Sequence, residues 1–156
     1  MNRKQRSFIR ATIAAGLAAM ALSLAWLGLG LQPTRAATLT VGTGGTYATI
    51  QAAIDAATPG DTIQVRDETF NENLVITKSV TLLGGYASGF GSRTPRGTTV
   101  GNVATSVIDI HGTGLKVTID GFEIANGTTP AYGGGIHIDV EDGSVVTIND
   151  NFVHDN

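Results

Sequence analysis

With 156 residues, the chain has room for one domain at most once an export segment is removed. It contains no cysteine, so it lacks the disulfide bonds on which small exported domains often depend. The region after residue 37 carries 5 basic and 13 acidic residues, a formal charge of −8. This charge argues against a nucleic-acid partner, because phosphate backbones select basic surfaces, and it favours cations or neutral and basic glycans.

The first 37 residues have the layout of a secretory signal peptide. Four basic residues near the start precede an uncharged, largely apolar stretch over residues 11–31. Pro33 interrupts that stretch, and Thr34 and Ala36 put small residues at the two positions that a signal peptidase reads. We therefore predict cleavage after Ala36 or Ala37 and a chain that is secreted or held at the cell surface. The alternative is an uncleaved membrane anchor, since 21 apolar residues can span a bilayer.

Residues 38–61 form an N-terminal segment that contains a predicted helix. Apolar residues recur with helical spacing from Ile50 to Ala57, so one face of the helix is apolar. Thr49 is a suitable N-cap residue, and the Thr-Pro-Gly sequence at 58–60 ends the pattern. A helix with a single apolar face is suited to capping the open end of a core that begins after it.

Short apolar-polar-apolar triplets recur through residues 62–156. A Val-Thr-Leu or Val-Thr-Ile triplet occurs at 80–82, 117–119 and 146–148, and an Ile-X-Ile triplet occurs at 108–110 and 136–138. Each triplet has the alternation of a β-strand, and turn-forming residues separate them. Because most of the spacings are 28 or 29 residues, which fits one coil of a solenoid, we predict an all-β parallel β-helix.

We assign about three coils to this region. The predicted strands lie at 62–65, 74–76 and 80–83 in the first coil, at 107–110, 116–119 and 122–124 in the second, and at 135–138, 145–148 and 152–153 in the third. Residues 84–106, between the first two coils, are predicted to form an excursion loop. The helix before the first coil is the predicted N-terminal cap, because solenoids need such caps for solubility.

Several stretches resemble the pectin-lyase-like superfamily. The residues that carry the resemblance are 47–65, 72–86 and 121–127, and those at 133–136 and 152–156 are similar to repeats of bacterial surface β-helix proteins. The match covers about Val41 to the C-terminus and implies a right-handed parallel β-helix. It does not imply one activity, because that superfamily includes lyases, hydrolases, esterases, adhesins and inert surface proteins.

The third coil stops at residues 152–156, and nothing in the sequence follows to cover it. An open core end and an exposed strand edge invite association. We therefore predict that the sequence is a fragment of a longer solenoid. The alternative is that the open coil pairs with another copy of the chain or with another protein.

The two Ile-X-Ile triplets place polar residues side by side. If their isoleucines stack, Asp109 lies beside His137 and His111 beside Asp139, with about 4.8 Å between adjacent coils. Histidine with carboxylate is a common pair in acid–base chemistry and in metal binding. These four residues are our candidate surface patch. The alternative is that opposite charges merely stabilise stacked strands.

Asp139, Glu141 and Asp142 could begin a calcium site, since calcium prefers several oxygen ligands on a flexible loop. Their spacing does not match an EF-hand loop, so a solvated acidic turn is the simpler interpretation, and no cofactor or metal is assigned. No catalytic set is complete. No arginine follows Arg96 to act as the base of pectate-lyase-type chemistry, and residues 110–112 lack the first glycine of a polygalacturonase-type element.

The sequence therefore favours an exported β-helix protein with a structural, adhesive or glycan-binding role, whose partner is a polysaccharide or a cell-envelope component. The alternative function is that of the N-terminal part of a polysaccharide lyase or glycoside hydrolase acting on pectin-like glycans, with its catalytic coils beyond residue 156.

Overall fold

The structure, a computed structural model, describes residues 35–129 and 133–156. The predicted signal peptide lies outside these residues except for its last three, Arg35 to Ala37. Within the described part of the chain, no helix combines the length and the hydropathy needed to cross a membrane. Residues from Ala36 to Asn156 belong to a single compact unit.

The described residues form strands for the most part, with one α-helix, α1 (Ile50–Ala56), and a 3-10 helix at Ser88–Phe90. The strands are β1 (Thr38–Val41), β2 (Thr62–Arg66), β3 (Thr69–Phe70), β4 (Leu74–Ile76), β5 (Thr81–Tyr86), β6 (Thr98–Val103), β7 (Ile108–Gly112), β8 (Lys116–Asp120), β9 (Phe122–Gly127), β10 (Ile136–Val140), β11 (Val145–Asn149) and β12 (Phe152–His154).

The strands pair in parallel and build three sheets. The first sheet has the order β1-β2-β5-β8-β11, the second β10-β7-β4, and the third β12-β9-β6-β3. From β2 onward, every third strand returns to the same sheet, one place further along. This confirms the predicted all-β parallel solenoid, which makes about four turns. The right-handed sense of the winding stays a prediction.

The turns divide the chain differently from the three coils read in the sequence. The sequence interpretation puts β2 and β5 in one coil, but they are neighbours in the first sheet, with Thr62 opposite Thr81, and so belong to successive turns. Residues 84–106 also differ from a simple loop, because they include β6, which lies between β3 and β9. The pattern hides β6 because Gly101 and Asn102, both at positive φ, interrupt its alternation.

A true excursion remains between β5 and β6, and it is fastened to the solenoid. Gly85 has φ of +84°, and a Cβ at that position would collide with the carbonyl oxygen of Thr94. Only glycine therefore allows the returning backbone to approach so closely. Arg93 donates to the carbonyl of Gly84 at 2.7 Å and forms an ion pair with Asp120.

Side chains at equivalent positions stack in register from turn to turn. The first sheet carries an outward column of threonines, Thr38, Thr62, Thr81, Thr118 and Thr147. The neighbouring inward column consists of Leu39, Ile63, Leu82, Ile119 and Ile148. Threonine pairs are favourable between adjacent strands, and stacked aliphatic side chains remove apolar surface from water. The repeated triplets of the sequence thus become continuous columns.

The core is closed in the middle turns and exposed in the last one. In the second sheet Ile76 and Ile110 are fully buried, whereas Ile138, which stacks on Ile110, is 43% exposed. Ile148 and Val153, in the inward columns of the other two sheets, are 40% and 47% exposed. What covers these side chains in solution, further coils or another copy, stays a prediction from the sequence.

Helix α1 begins where the sequence predicts. The hydroxyl oxygen of Thr49 accepts a hydrogen bond from Ala52 N at 3.2 Å, which is the N-cap geometry. Ile50, Ala53 and Ile54 are buried, and the helix packs against β1, β2 and β4. Its role as the cap of the solenoid end stays a prediction.

Two polar side chains join α1 to the following turn. Glu72 accepts hydrogen bonds from Ile50 N and Gln51 N, each at 3.0 Å, and so satisfies amides that have no partner within the helix. The amide group of Gln51 accepts from Val75 N at 2.8 Å and donates to Val75 O at 3.3 Å. Gln51 thus gives the edge of β4 the two hydrogen bonds that a further strand would provide.

Replacement of Glu72 by glutamine should lower the free energy of unfolding by about 1.5–3 kcal/mol, the range for hydrogen bonds to charged groups. Glutamine keeps one acceptor oxygen, and its NH2 group would face a helix amide that is also a donor. Chemical denaturation measures the difference. Glu141→Gln, the same change in an exposed turn, should stay within about 0.5 kcal/mol of wild type. An equal loss in both variants would contradict the role given to Glu72.

The core side chains are more exposed in the last turn than in the middle turns, and this difference leads to a second prediction. Ile110→Ala should cost about 2–5 kcal/mol, because it leaves a cavity in a closed core. Ile138→Ala, in the same column, should cost about half as much or less, since its side chain is already 43% exposed. Urea denaturation of both variants tests this. Equal costs would contradict the expected difference and would mean that Ile138 is covered in solution, as pairing of the open coil with another copy requires.

Candidate functional site

The candidate patch lies on β7 and β10, in the second sheet. Asp109 opposes His137 and His111 opposes Asp139, the register expected from the sequence. The isoleucines on either side of Asp109 are fully buried, so the alternation of the strand turns Asp109 outward. The sequence pattern therefore predicts both the pairing and the face on which these residues lie.

Asp109 is the centre of the patch. Its Oδ1 lies 3.0 Å from His137 Nδ1, which is hydrogen-bond distance, and 3.6 Å from His111 Nδ1, which is close enough for an ion pair only. The side chains of Asp109, His137 and His111 are 34%, 26% and 47% exposed. Asp139 is exposed, and no hydrogen bond or ion pair joins it to His111 in the described part of the chain. The structure thus assembles three of the four residues and leaves Asp139 at the margin.

Asp109 and His137 line an open cleft of about 250 Å³. The residues around it share polar side chains and come from successive turns: Asn73, Thr105, Ser106, Asp109, Thr129 and His137. Asn73 directly precedes β4, and Thr105 and Ser106 precede β7. The cleft was not predicted, because its serine and threonines lie in turns that have no repeated sequence.

Hydrogen bonds between turns fix the walls of the cleft. The backbone of Leu74 donates to Val107 O at 2.7 Å, and Val107 N donates to Gly134 O at 2.8 Å. The side-chain amide of Asn73 donates to Ser106 O. The cleft is therefore lined by residues whose backbone is tied to the turns above and below, which keeps its polar groups in place without a ligand.

Serine, histidine and aspartate side chains meet in this cleft, but they are not arranged as a nucleophilic triad. The hydroxyl of Ser106 donates its proton to Gly133 O at 2.8 Å, and Ser106 is 9% exposed. A serine nucleophile must instead give its proton to the histidine. Ser106 is therefore bonded to the backbone of the cleft wall, and the one-third exposed carboxylate of Asp109 is the group that this cleft can present to a ligand.

No group of three or more histidine and acidic side chains in the described residues is arranged to hold a metal ion. In the acidic turn Asp139, Glu141 and Asp142 are exposed, and Glu141 accepts a hydrogen bond from the Thr113 hydroxyl at 3.1 Å. The calcium hypothesis thus gains no ligand set here. The geometry favours the interpretation of these residues as a solvated turn.

A second polar cluster, missed in the sequence, lies on the third sheet around His154. Its Nδ1 is 2.8 Å from Asp155 Oδ2, and its Nε2 is 2.9 Å from Glu123 Oε1. The ring also stacks on Phe152 with a centroid distance of 4.4 Å. Hydrogen bonds first to Asp155 and then to Glu123 raise the pKa of His154 above its ordinary value, since both favour the protonated ring.

The register of β12 on β9 explains why the sequence did not reveal the His154 cluster. His154 pairs with Ala125, and Glu123 pairs with Phe152, so the contact between histidine and glutamate is diagonal. Diagonal neighbours are within reach of long side chains only. The sequence does contain a signal for this contact. Once β9 and β12 are aligned, Glu123 and His154 both face outward and are offset by two positions.

Comparisons with models of protein families, with curated proteins and with solved structures found no match to this chain. The resemblance of residues 47–65, 72–86 and 121–127 to the pectin-lyase-like superfamily therefore stays an interpretation of the sequence. The structure supports its coarser content, which is a parallel β-solenoid.

The substitution His154→Gln should remove a pH-dependent part of the stability. Because the pKa of His154 is raised in the folded chain, its contribution is fully present below the ordinary value of 6.5 and is lost as the pH rises through the folded value. The thermal midpoint of wild type should therefore exceed that of the variant most at about pH 5.5 and least at about pH 9.

His111→Gln is the matched control for this experiment, because among the described residues only the carboxylate of Asp109 lies within ion-pair distance of His111, at 3.6 Å. Its effect on the thermal midpoint should change less with pH. If the two variants depend on pH to the same extent, the carboxylates around His154 do not act as described.

Proposed function

We propose that this chain is the solenoid of an exported glycan-binding protein, secreted or held at the cell surface. The proposed ligand is a neutral or basic polysaccharide, one sugar unit of which occupies the cleft beside Asp109 and His137. The observation that carries the proposal is this cleft, in which polar side chains from successive turns converge on one outward face. Binding to an envelope polysaccharide would serve a structural or adhesive role.

The groups in the cleft suit the hydroxyls of a sugar. Asp109 supplies carboxylate acceptors, Asn73 an amide and Thr105 a hydroxyl, while His137 and Thr129 complete the polar lining. Sites for drug-sized ligands occupy roughly 300–1,000 Å³, so a cleft of about 250 Å³ accommodates one small polar unit. The remainder of a polysaccharide would lie on the outward faces of the neighbouring turns.

Charge selects among glycans. The region after residue 37 carries 5 basic and 13 acidic residues, and the carboxylate of Asp109 is one-third exposed at the cleft. A uronic-acid polymer would be repelled by both the local and the net charge. Neutral and amino-bearing sugars avoid that repulsion, and an ammonium group would gain from Asp109.

The resemblance to the pectin-lyase-like superfamily supports the class of ligand, because that superfamily includes polysaccharide lyases and hydrolases as well as adhesins. The basic and apolar N-terminal stretch supports the location. The engagement of Ser106 with Gly133 O favours binding over cleavage by this part of the chain.

The first test is titration of the protein with oligosaccharides of three charge classes: neutral cello- and xylo-oligosaccharides, basic chitosan oligomers and acidic oligogalacturonates. Calorimetry should detect binding of a neutral or basic oligomer and weaker or no binding of oligogalacturonates. Asp109→Asn should weaken binding by about tenfold or more, because it replaces a charged acceptor by a neutral amide, and hydrogen bonds to charged groups are the stronger ones.

Asp142→Asn is the matched control, since it removes the same charge from an exposed turn outside the cleft. Its affinity should stay within about twofold of wild type, because exposed charges contribute little. The proposal fails if neither neutral nor basic oligomers bind, if oligogalacturonates bind best, or if the two variants behave alike.

A further inference from the structure

Asp61 is the only buried acidic or basic side chain in the described residues, at 4% exposed. It directly precedes β2, as Ala37 directly precedes β1, and these strands are neighbours with Thr38 opposite Thr62. The Asp61 side chain therefore reaches from one turn to the backbone of the turn before it.

Both carboxylate oxygens of Asp61 accept hydrogen bonds. Oδ1 accepts from Ala37 N at 2.7 Å, and Oδ2 accepts from Thr58 N at 2.8 Å and from the Thr58 hydroxyl at 2.9 Å. These bonds, that from Ala37 first, lower the pKa of Asp61, so the group is ionised. All three donors are neutral. The ammonium of Lys78 lies near this corner and donates to Asp55 O at 2.9 Å and to Ala57 O at 3.1 Å, but it forms no ion pair with Asp61.

These three hydrogen bonds already favour the ionised form of the Asp61 carboxyl. The nearest atom to Asp61 that can acquire a positive charge is Ala37 N, and it lies at the boundary where the sequence predicts removal of the signal peptide. Hydrolysis of the bond between Ala36 and Ala37 consumes one water. It leaves a carboxylate on Ala36 and, after protonation, an ammonium group on Ala37.

We infer that a signal peptidase cleaves between Ala36 and Ala37, and that the new α-ammonium group of Ala37 pairs with the buried carboxylate of Asp61. This inference rests on the export part of the proposed function and not on glycan binding. It assigns Asp61 as the receptor of the mature N-terminus, so that processing converts the hydrogen bond from Ala37 N to Asp61 into an ion pair.

The structure distinguishes this cut from the other one that the sequence allows. Cleavage after Ala37 would remove the donor to Asp61 Oδ1 and also the Ala37 carbonyl, which accepts from Thr62 N at 2.9 Å. Cleavage after Ala36 keeps both hydrogen bonds and strengthens the first, since charge-assisted hydrogen bonds are roughly twice as strong as neutral ones.

The first experiment is production of the full chain, with its own N-terminus, in an exporting bacterial host, followed by N-terminal sequencing and intact-mass measurement of the exported protein. The expected first residue is Ala37. A protein that begins at Thr38 or at another residue would overturn this inference and leave export standing. A chain that is neither exported nor cut would overturn both.

The second experiment tests the pairing through its pH dependence. An α-amino group ordinarily has a pKa of about 7.7–8.0, and a nearby carboxylate raises it. Its stabilising contribution is then present below the ordinary value and is lost as the pH rises through the folded value. The excess of the wild-type thermal midpoint over that of Asp61→Asn should therefore shrink between about pH 7 and pH 10.

Asp142→Asn, processed in the same way, is the control and should differ from wild type by an amount that does not change over this range. If Asp61→Asn does not fold, acylation of the α-amine in wild type gives the same information. The pH at which half of the amine reacts should be higher in the native chain than in urea by roughly one unit or more. An unchanged midpoint of acylation, or a constant difference between wild type and Asp61→Asn, would overturn the pairing.

Discussion

Parallel backbone pairing between turns, in a fixed register, is the constraint on which this structure depends. Because each strand of a sheet belongs to a different turn, a residue stacks on its equivalents before and after it, as Thr81 does on Thr62 and Thr118. A slip of one residue would turn every inward side chain outward. Repeated triplets prevent that slip, since only one register stacks apolar on apolar and threonine on threonine. The core is thus specified by short triplets that recur once in each turn and stack on one another.

The turns between the sheets depend on polar side chains that bond to the adjacent turn. Asn151 accepts from Phe122 N and donates to Ile119 O, both at 2.8 Å. Thr98, fully buried, accepts from Gly85 N and donates to Arg66 O, both at 2.6 Å. Buried backbone groups at these corners have no strand partner and would be costly if left unpaired. The corners therefore depend on particular polar side chains and not on a repeated pattern.

The candidate binding site lies where one column of stacked side chains changes from apolar to polar residues. The column that holds Val75 in the first full turn holds Asp109 and then His137 in the next two, so a stabilising position becomes a polar pair. The cleft forms beside this pair because the turns before β4 and β7 add an amide and hydroxyls at the same level. Asp61 is a second departure of this kind, a buried carboxylate in a corner between turns. The same stacking that builds the core therefore also places the groups that could bind a ligand or a new N-terminus.

Three features follow from the amino-acid sequence alone. The parallel solenoid and the register of Asp109 on His137 rest on short periodic patterns, and the helix start at Thr49 rests on a capping residue. The stacking of the turns was needed to show that β2 and β5 belong to successive turns and that β6 is part of the third sheet. It alone also revealed the contact of His154 with Glu123 and that of Ala37 with Asp61. These contacts join residues far apart in the chain through corners and diagonals. No local pattern encodes them, since they exist only once the turns have stacked.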